Sequence, residues 1–141
     1  MLSRNVACLC ALFVLLCGGC NVRSLPPQFS GPSPVKKADQ SNFQERVLQA
    51  SEQQPVLVDF WAPWCGPCVK LGPILEQIAR DHPELAVVKV NVDESPDLAE
   101  RYRIEGIPLM ILFENGQEQK RIVGLQSQRA ILSSLKPYVN P

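Results

Sequence analysis

Apolar positions along this chain fall into an unbroken run near the start, an irregular stretch, and then segments whose period switches between two and about 3.6. From Ser41 the pattern is helical, with Phe43, Val47 and Leu48 on one side and Gln44 in the position of a capping box. Pro55 ends that region. Val56 to Trp61 is nearly continuous apolar sequence rich in β-formers, as expected of a strand covered on both faces. Leu71, Ile74, Leu75, Ile78 and Ala79 then mark one face of a helix that contains Pro73, expected to kink it, and stops at His82-Pro83. Ala86 to Val92 reads as a second buried strand. Pro96 to Tyr102 reads as a short helix with Ser95 at its N-cap. Leu109 to Phe113 and Glu118 to Val123 form a hairpin around Asn115-Gly116, and a last amphipathic helix runs from about Ser127 to Val139. Strands alternating with helices and closing on a hairpin imply an α/β fold: a central mixed sheet flanked by helices.

The first 38 residues follow a different rule. Val6 to Cys17 is a run of twelve apolar residues after Arg4, well short of the roughly 20 that a spanning helix needs. A basic start, a short apolar stretch and the small residues Gly18 and Gly19 have the anatomy of a secretory signal over residues 1–19. Leu16-Cys17-Gly18-Gly19-Cys20 also resembles a bacterial lipoprotein signal, which implies lipidation of Cys20, although Cys17 stands where that pattern usually has Leu. Residues 20–38 hold Pro26, Pro27, Pro32 and Pro34 among serine and glycine, a composition that favours extended chain over helix or sheet. At about 3 Å per residue such a tether reaches roughly 55 Å. The folded domain is expected over residues 39–141, and the chain on the extracytoplasmic face of a bacterial membrane, or soluble in the periplasm without the lipid.

Charge sharpens that division. Residues 1–38 carry Arg4, Arg23, Lys36 and Lys37 and no acid, whereas residues 39–141 carry 10 basic and 14 acidic groups. The net charge of zero lacks the basic footprint of a nucleic-acid binder. With 45% apolar residues the chain can build a core, so wholesale disorder is excluded. Three of the six cysteines lie in the terminal apolar run, so the count does not describe three bridges.

Cys65-Gly66-Pro67-Cys68 stands where a buried strand hands over to a helix. Half of a zinc site has the same spacing, but the other ligands would have to be His82, at the far end of that helix, and Cys20, near the processing site. A redox pair needs only what is there. Free N–H groups and the dipole at a helix N-terminus favour a thiolate, and Pro67 suits a first turn that needs no donor. Cys65 is expected to be exposed and nucleophilic, and Cys68 tucked under the turn. Asp59 interrupts an apolar strand on the face of Leu57 and Trp61. Without a partner its carboxylate is costly there, so a raised pKa is expected. The plain alternatives are a hydrogen-bonded core acid or a strand end that reaches water. His82 is explained by the helix C-terminus it adjoins.

Val58-Asp59-Phe60-Trp61-Ala62 leading into Trp64-Cys65-Gly66-Pro67-Cys68 resembles the active-site stretch of the thioredoxin family. The likeness continues through Pro73, Lys89, Asp93, Gly106-Ile107-Pro108 and Gly124. It implies the thioredoxin fold and a protein-disulfide reductase without a bound cofactor or metal, monomeric, acting on disulfide-containing proteins. By that resemblance Cys65 attacks, Cys68 resolves, and Asp59 moves a proton for Cys68 with Lys89 as its charged neighbour. Pro108 resembles the family's cis-proline, and Ile107, Gly124 and Trp64 would complete an apolar docking surface. Trp61 and Phe60 read as core. Leu109, Val69 and Pro63 depart from common family residues and are expected to make the rim more apolar. Competing readings are an extracytoplasmic disulfide oxidase or isomerase, and a binding module whose cysteines are incidental. An exported reductase would need an electron donor, such as a membrane conduit.

Overall fold

The computed structural model describes residues 32–139, so the readings of residues 1–31 as signal, lipidation site and tether lie outside the described residues. Five strands form one sheet: β1 (Lys36–Ala38), β2 (Val56–Trp61), β3 (Ala86–Asn91), β4 (Leu109–Glu114) and β5 (Gln117–Val123). Their order is β1-β3-β2-β4-β5. The first three run parallel, while β4 is antiparallel to β2 and β5 to β4. Three helices, α1 (Gly66–Asp81), α2 (Pro96–Arg101) and α3 (Gln128–Leu135), join a helical segment that winds wide over Gln44–Gln49 and tight over Ala50–Glu52.

Alternation along the strands sorts the core into two layers. Val56, Val58 and Phe60 of β2 pack with Phe43, Val47 and Leu98 on one face of the sheet. Leu57 turns the other way, onto Leu71, Leu75 and Ile78 of α1 and Ile131 and Leu135 of α3. With both faces covered, β2 reads as continuous apolar sequence, and Asp59, fully buried, takes the same face as Leu57.

The structure departs from the sequence pattern at four places. Lys36–Ala38 is a sheet strand where the tether was expected to continue to residue 38; it pairs with Val88–Val90, and Arg46 donates to the Lys37 carbonyl. Two lysines in three residues carry no hydrophobic period, and lysine is a common occupant of an edge strand. The first helical cap is built on Asp39, not Ser41: Oδ1 of Asp39 accepts from the Ser41 N–H (2.9 Å), and the Asp39 N–H donates to Asn42 Oδ1 (3.0 Å). Ser95 holds the N-cap position of α2, but its backbone carbonyl and not its hydroxyl receives the Leu98 and Ala99 N–H groups. α3 stops at Leu135, before the expected Val139, because Pro137 has no N–H for the next rung. Pro73 lies inside α1 without ending it.

The hairpin is as expected, with left-handed Asn115 (φ 53°) and Gly116 (φ 76°). Buried Ser51 holds it against the first helical segment: its carbonyl accepts from the Asn115 N–H at 2.8 Å and its hydroxyl from the Gly116 N–H at 2.9 Å. The same hydroxyl donates to the Leu48 carbonyl at 2.7 Å. Ser51→Ala removes the hydroxyl partner of the partly buried Gly116 N–H and Leu48 carbonyl and keeps the backbone bond to Asn115, so it should lower stability by about 1–2 kcal/mol. Denaturant titration of the variant checks this.

Candidate active site

β2 delivers the chain to the site. After Trp61 come buried Ala62 and exposed Pro63 and Trp64, and Cys65 is the N-cap of α1. Pro67 occupies the first turn, where no donor is required. Cys65 and Cys68 are joined as a disulfide, with Cα atoms 5.2 Å apart. Sγ of Cys65 accepts from the Cys68 N–H at 3.2 Å, the side-chain cap of the helix. Once the pair is reduced, that donor and the helix dipole favour the thiolate at Cys65. The expected exposure of Cys65 is corrected: it is 6% exposed, against 0% for Cys68. Ile107 packs over the sulfur pair, its carbonyl oxygen 3.8 Å from Cys65 Sγ. Cys65 is still the sulfur nearer the surface.

Asp59 lies directly across from Lys89 in the parallel register of β2 and β3. Lys89 Nζ is 3.9 Å from Asp59 Oδ2 and 4.1 Å from the centre of the Trp61 ring. Neither carboxyl oxygen accepts a hydrogen bond within the protein. Burial therefore dominates and pushes the Asp59 pKa up to about 7, with the Lys89 charge pulling the other way. A hydrogen-bonded core acid, one of the plain alternatives, is not what the fold contains. Trp61, read as core, is partly exposed and forms one wall beside Lys89; Phe60 is fully buried.

The Ile107–Pro108 peptide bond is cis. Gly124, at φ 78°, donates its N–H to the Pro108 carbonyl at 2.9 Å, which joins the end of β5 to the cis-proline turn. Trp64 is 69% exposed and held by its indole N–H, which donates to Asp93 at 2.8 Å. Ile107, Pro108, Gly124 and Trp64 are thus connected with the disulfide through short contacts and chain neighbours. Val69 is exposed as expected, but Leu109 is buried against Phe60 and Val58 and adds nothing to the rim. Its place in β4, paired with Phe60, decides that. Sequence reasoning missed Val123 and Leu125, exposed apolar neighbours of Gly124. An unexplained apolar pair around a glycine at a strand end was the available signal. His82 caps the C-terminus of α1 and pairs with Glu84 at 3.0 Å, away from this chemistry. No group of three or more His, Cys, Asp or Glu side chains is placed to hold a metal among the described residues.

A vicinal cysteine pair at a helix N-terminus, facing a cis-proline turn and backed by a buried acid, can exchange electrons with another disulfide. Comparison with known proteins agrees. A family profile described as thioredoxin matches residues 34–137. The thioredoxin of Mycobacterium tuberculosis is 43% identical over 111 residues, covering 78% of this chain and 94% of its own. A bifunctional thioredoxin reductase/thioredoxin of Mycobacterium leprae is 48% identical over 90 residues, which cover 63% of this chain and 20% of the longer protein. Among solved structures, an N21Q mutant thioredoxin from Halobacterium salinarum superposes with a TM-score of 0.68 at 32% identity, over 79% of this chain and 97% of that one. Thioredoxins work through their cysteine pair, without an external cofactor, on disulfide-containing substrates. This chain, a thiol–disulfide oxidoreductase with its redox pair at Cys65 and Cys68, belongs to the thioredoxin family.

Proposed function

We propose that the chain runs in the reducing direction on protein disulfides, with Cys65 as nucleophile, Cys68 as resolving thiol and Asp59 as proton acceptor. The observation that carries this reading is the asymmetry of the pair: Cys65 Sγ receives a backbone N–H at the helix start, while Cys68 is fully buried. The Cys65 thiolate attacks one sulfur of the substrate disulfide, and the other sulfur leaves as a thiolate. Cys68 passes its proton to ionised Asp59 and attacks Cys65 Sγ, which expels the second substrate thiolate and closes the Cys65–Cys68 bond. Two electrons have then moved to the substrate. Ile107, Gly124 and Trp64, with Val69, Val123 and Leu125, supply the apolar ground on which an extended substrate segment lies, and buried Pro108 shapes the turn beneath it. The test is release of thiols from a protein disulfide with a small dithiol as reductant, which should be catalytic in this chain and fall to background in the Cys65→Ser, Cys68→Ser double variant.

The apolar run before Cys20 supports an exported, lipid-attached form, with residues from Cys20 towards the domain as tether. That location also supports the second reading, an oxidase or isomerase, and on either reading the electron partner would have to be reached at the membrane. One acyl chain binds a membrane only marginally, so firm attachment needs the several chains of the lipoprotein pattern. Cys20→Ala should abolish incorporation of labelled lipid and release the protein from the membrane fraction. A wild-type mature protein that fractionates as fully soluble would contradict lipid attachment and leave the redox chemistry standing.

A further inference from the structure

Lys89 is not the only cation in the row that holds Asp59. The register of the parallel strands sets Lys37 of β1, Lys89 of β3 and Asp59 of β2 side by side across the sheet. All three take one face: Ala38, next to Lys37, packs into the opposite layer with Val90, and Val35 packs into the layer of α1. Lys37 and Lys89 line one crevice together with Trp61, Asn91 and Glu94. The Lys37 backbone is fixed by the pairing with β3 and by Arg46, which donates to its carbonyl. Like charges on directly neighbouring strands repel. Lys89 is confined on one side by the Trp61 ring and, beyond Gly72, by α1, where an added methyl would stand 3.6 Å from Nζ.

We propose that Lys37 is a positioning residue for the Asp59–Lys89 pair: its ammonium repels that of Lys89 towards the carboxyl and favours the ionised, proton-accepting form of Asp59. The functional part rests on the reading of Asp59 as proton acceptor for Cys68; the electrostatic part does not. Across the sheet from Asp59, β3 presents Lys89 and then β1 presents Lys37, while β4 sets uncharged Met110 opposite it. The turn after β3 brings Glu94, which accepts from Asn91, to the crevice of the two lysines, and α1, packed on this face, carries the buried Cys68 of the proposed proton transfer. Two strand spacings separate Lys37 from Asp59, about 10 Å, close to a Debye length at moderate salt. The effect is therefore modest and removable by salt.

The experiment is a carbon-13 NMR titration of the Asp59 carboxyl in the full chain, with the pH profile of protein-disulfide reduction measured on the same variants. Lys37→Gln should raise the Asp59 midpoint by about 0.3 unit, and Lys37→Glu by about twice that. Lys37→Arg should stay within about 0.1 unit of wild type, and near 1 M salt the differences should collapse. Midpoints of the Gln and Glu variants that coincide with wild type would overturn the proposal, as would an Arg variant shifted as far as Gln. If the midpoint moves while the turnover profile does not, Lys37 positions the pair but Asp59 is not the proton acceptor.

Discussion

Replacing Cys68 by serine is expected to turn the chain into a trap for its own substrates. Cys65 would keep its place at the start of α1 and its backbone donor, so attack on a disulfide would survive. The mixed disulfide would then have no internal thiol to displace it, because a serine hydroxyl is a far weaker nucleophile at neutral pH. Covalent adducts should accumulate and be visible on non-reducing gels, and multiple-turnover reduction should fall to background. Cys65→Ser should abolish reduction without trapping, because fully buried Cys68 is out of reach of a folded partner. Trapping by Cys65→Ser and none by Cys68→Ser would reverse the two roles.

Asp59→Ala should make the protein more stable and slower. The folded pKa of about 7 lies above the ordinary value of 3.8 because the carboxyl is buried. The folded state therefore holds this proton more tightly than the unfolded chain does. That contribution to stability is fully present below about pH 3.8 and is lost as pH rises through about 7. The upward displacement of about three pH units corresponds to a cost on the order of 4 kcal/mol once the group is ionised. Alanine removes that cost but leaves a small cavity, which costs about 1–2 kcal/mol in the other direction. Lys89 loses its carboxylate and keeps the Trp61 ring and a partly solvated head. A gain on the order of 2 kcal/mol is expected at pH 8 and should vanish or reverse near pH 4. Turnover should fall about ten- to hundredfold, since general-base contributions are typically hundredfold or more and water can replace part of one. A variant less stable than wild type at pH 8 and equally fast would make Asp59 an ordinary structural acid.

Legibility in the sequence followed the range of the interaction that sets each feature. The β2 strand, the α1 face and the Asn115-Gly116 turn are written in local period or in a demand for positive φ, and they stand within a residue or two of expectation. Cys65 at a helix start is equally local. The raised pKa of Asp59 needed only the inference that Val56–Trp61 is covered on both faces. What failed to show was set by distant partners. Lys36–Ala38 becomes a strand because β3 offers it an edge, and nothing in two lysines and an alanine announces that. Ser51 looks like a helix-end serine until the hairpin arrives at its hydroxyl. Leu109 follows the cis-proline in sequence, yet β4 turns it into the core. The charged row of Lys37, Lys89 and Asp59 exists only through strand order and register.

The reduction potential of the Cys65–Cys68 pair, measured by equilibration against a redox buffer of known poise, separates reductase from oxidase directly. A helix-terminal pair in this fold that serves as a reductant should lie near the value typical of thioredoxins, about −270 mV. A potential near −120 mV, that of a strong disulfide donor, would contradict the reducing direction and make the chain a disulfide oxidase.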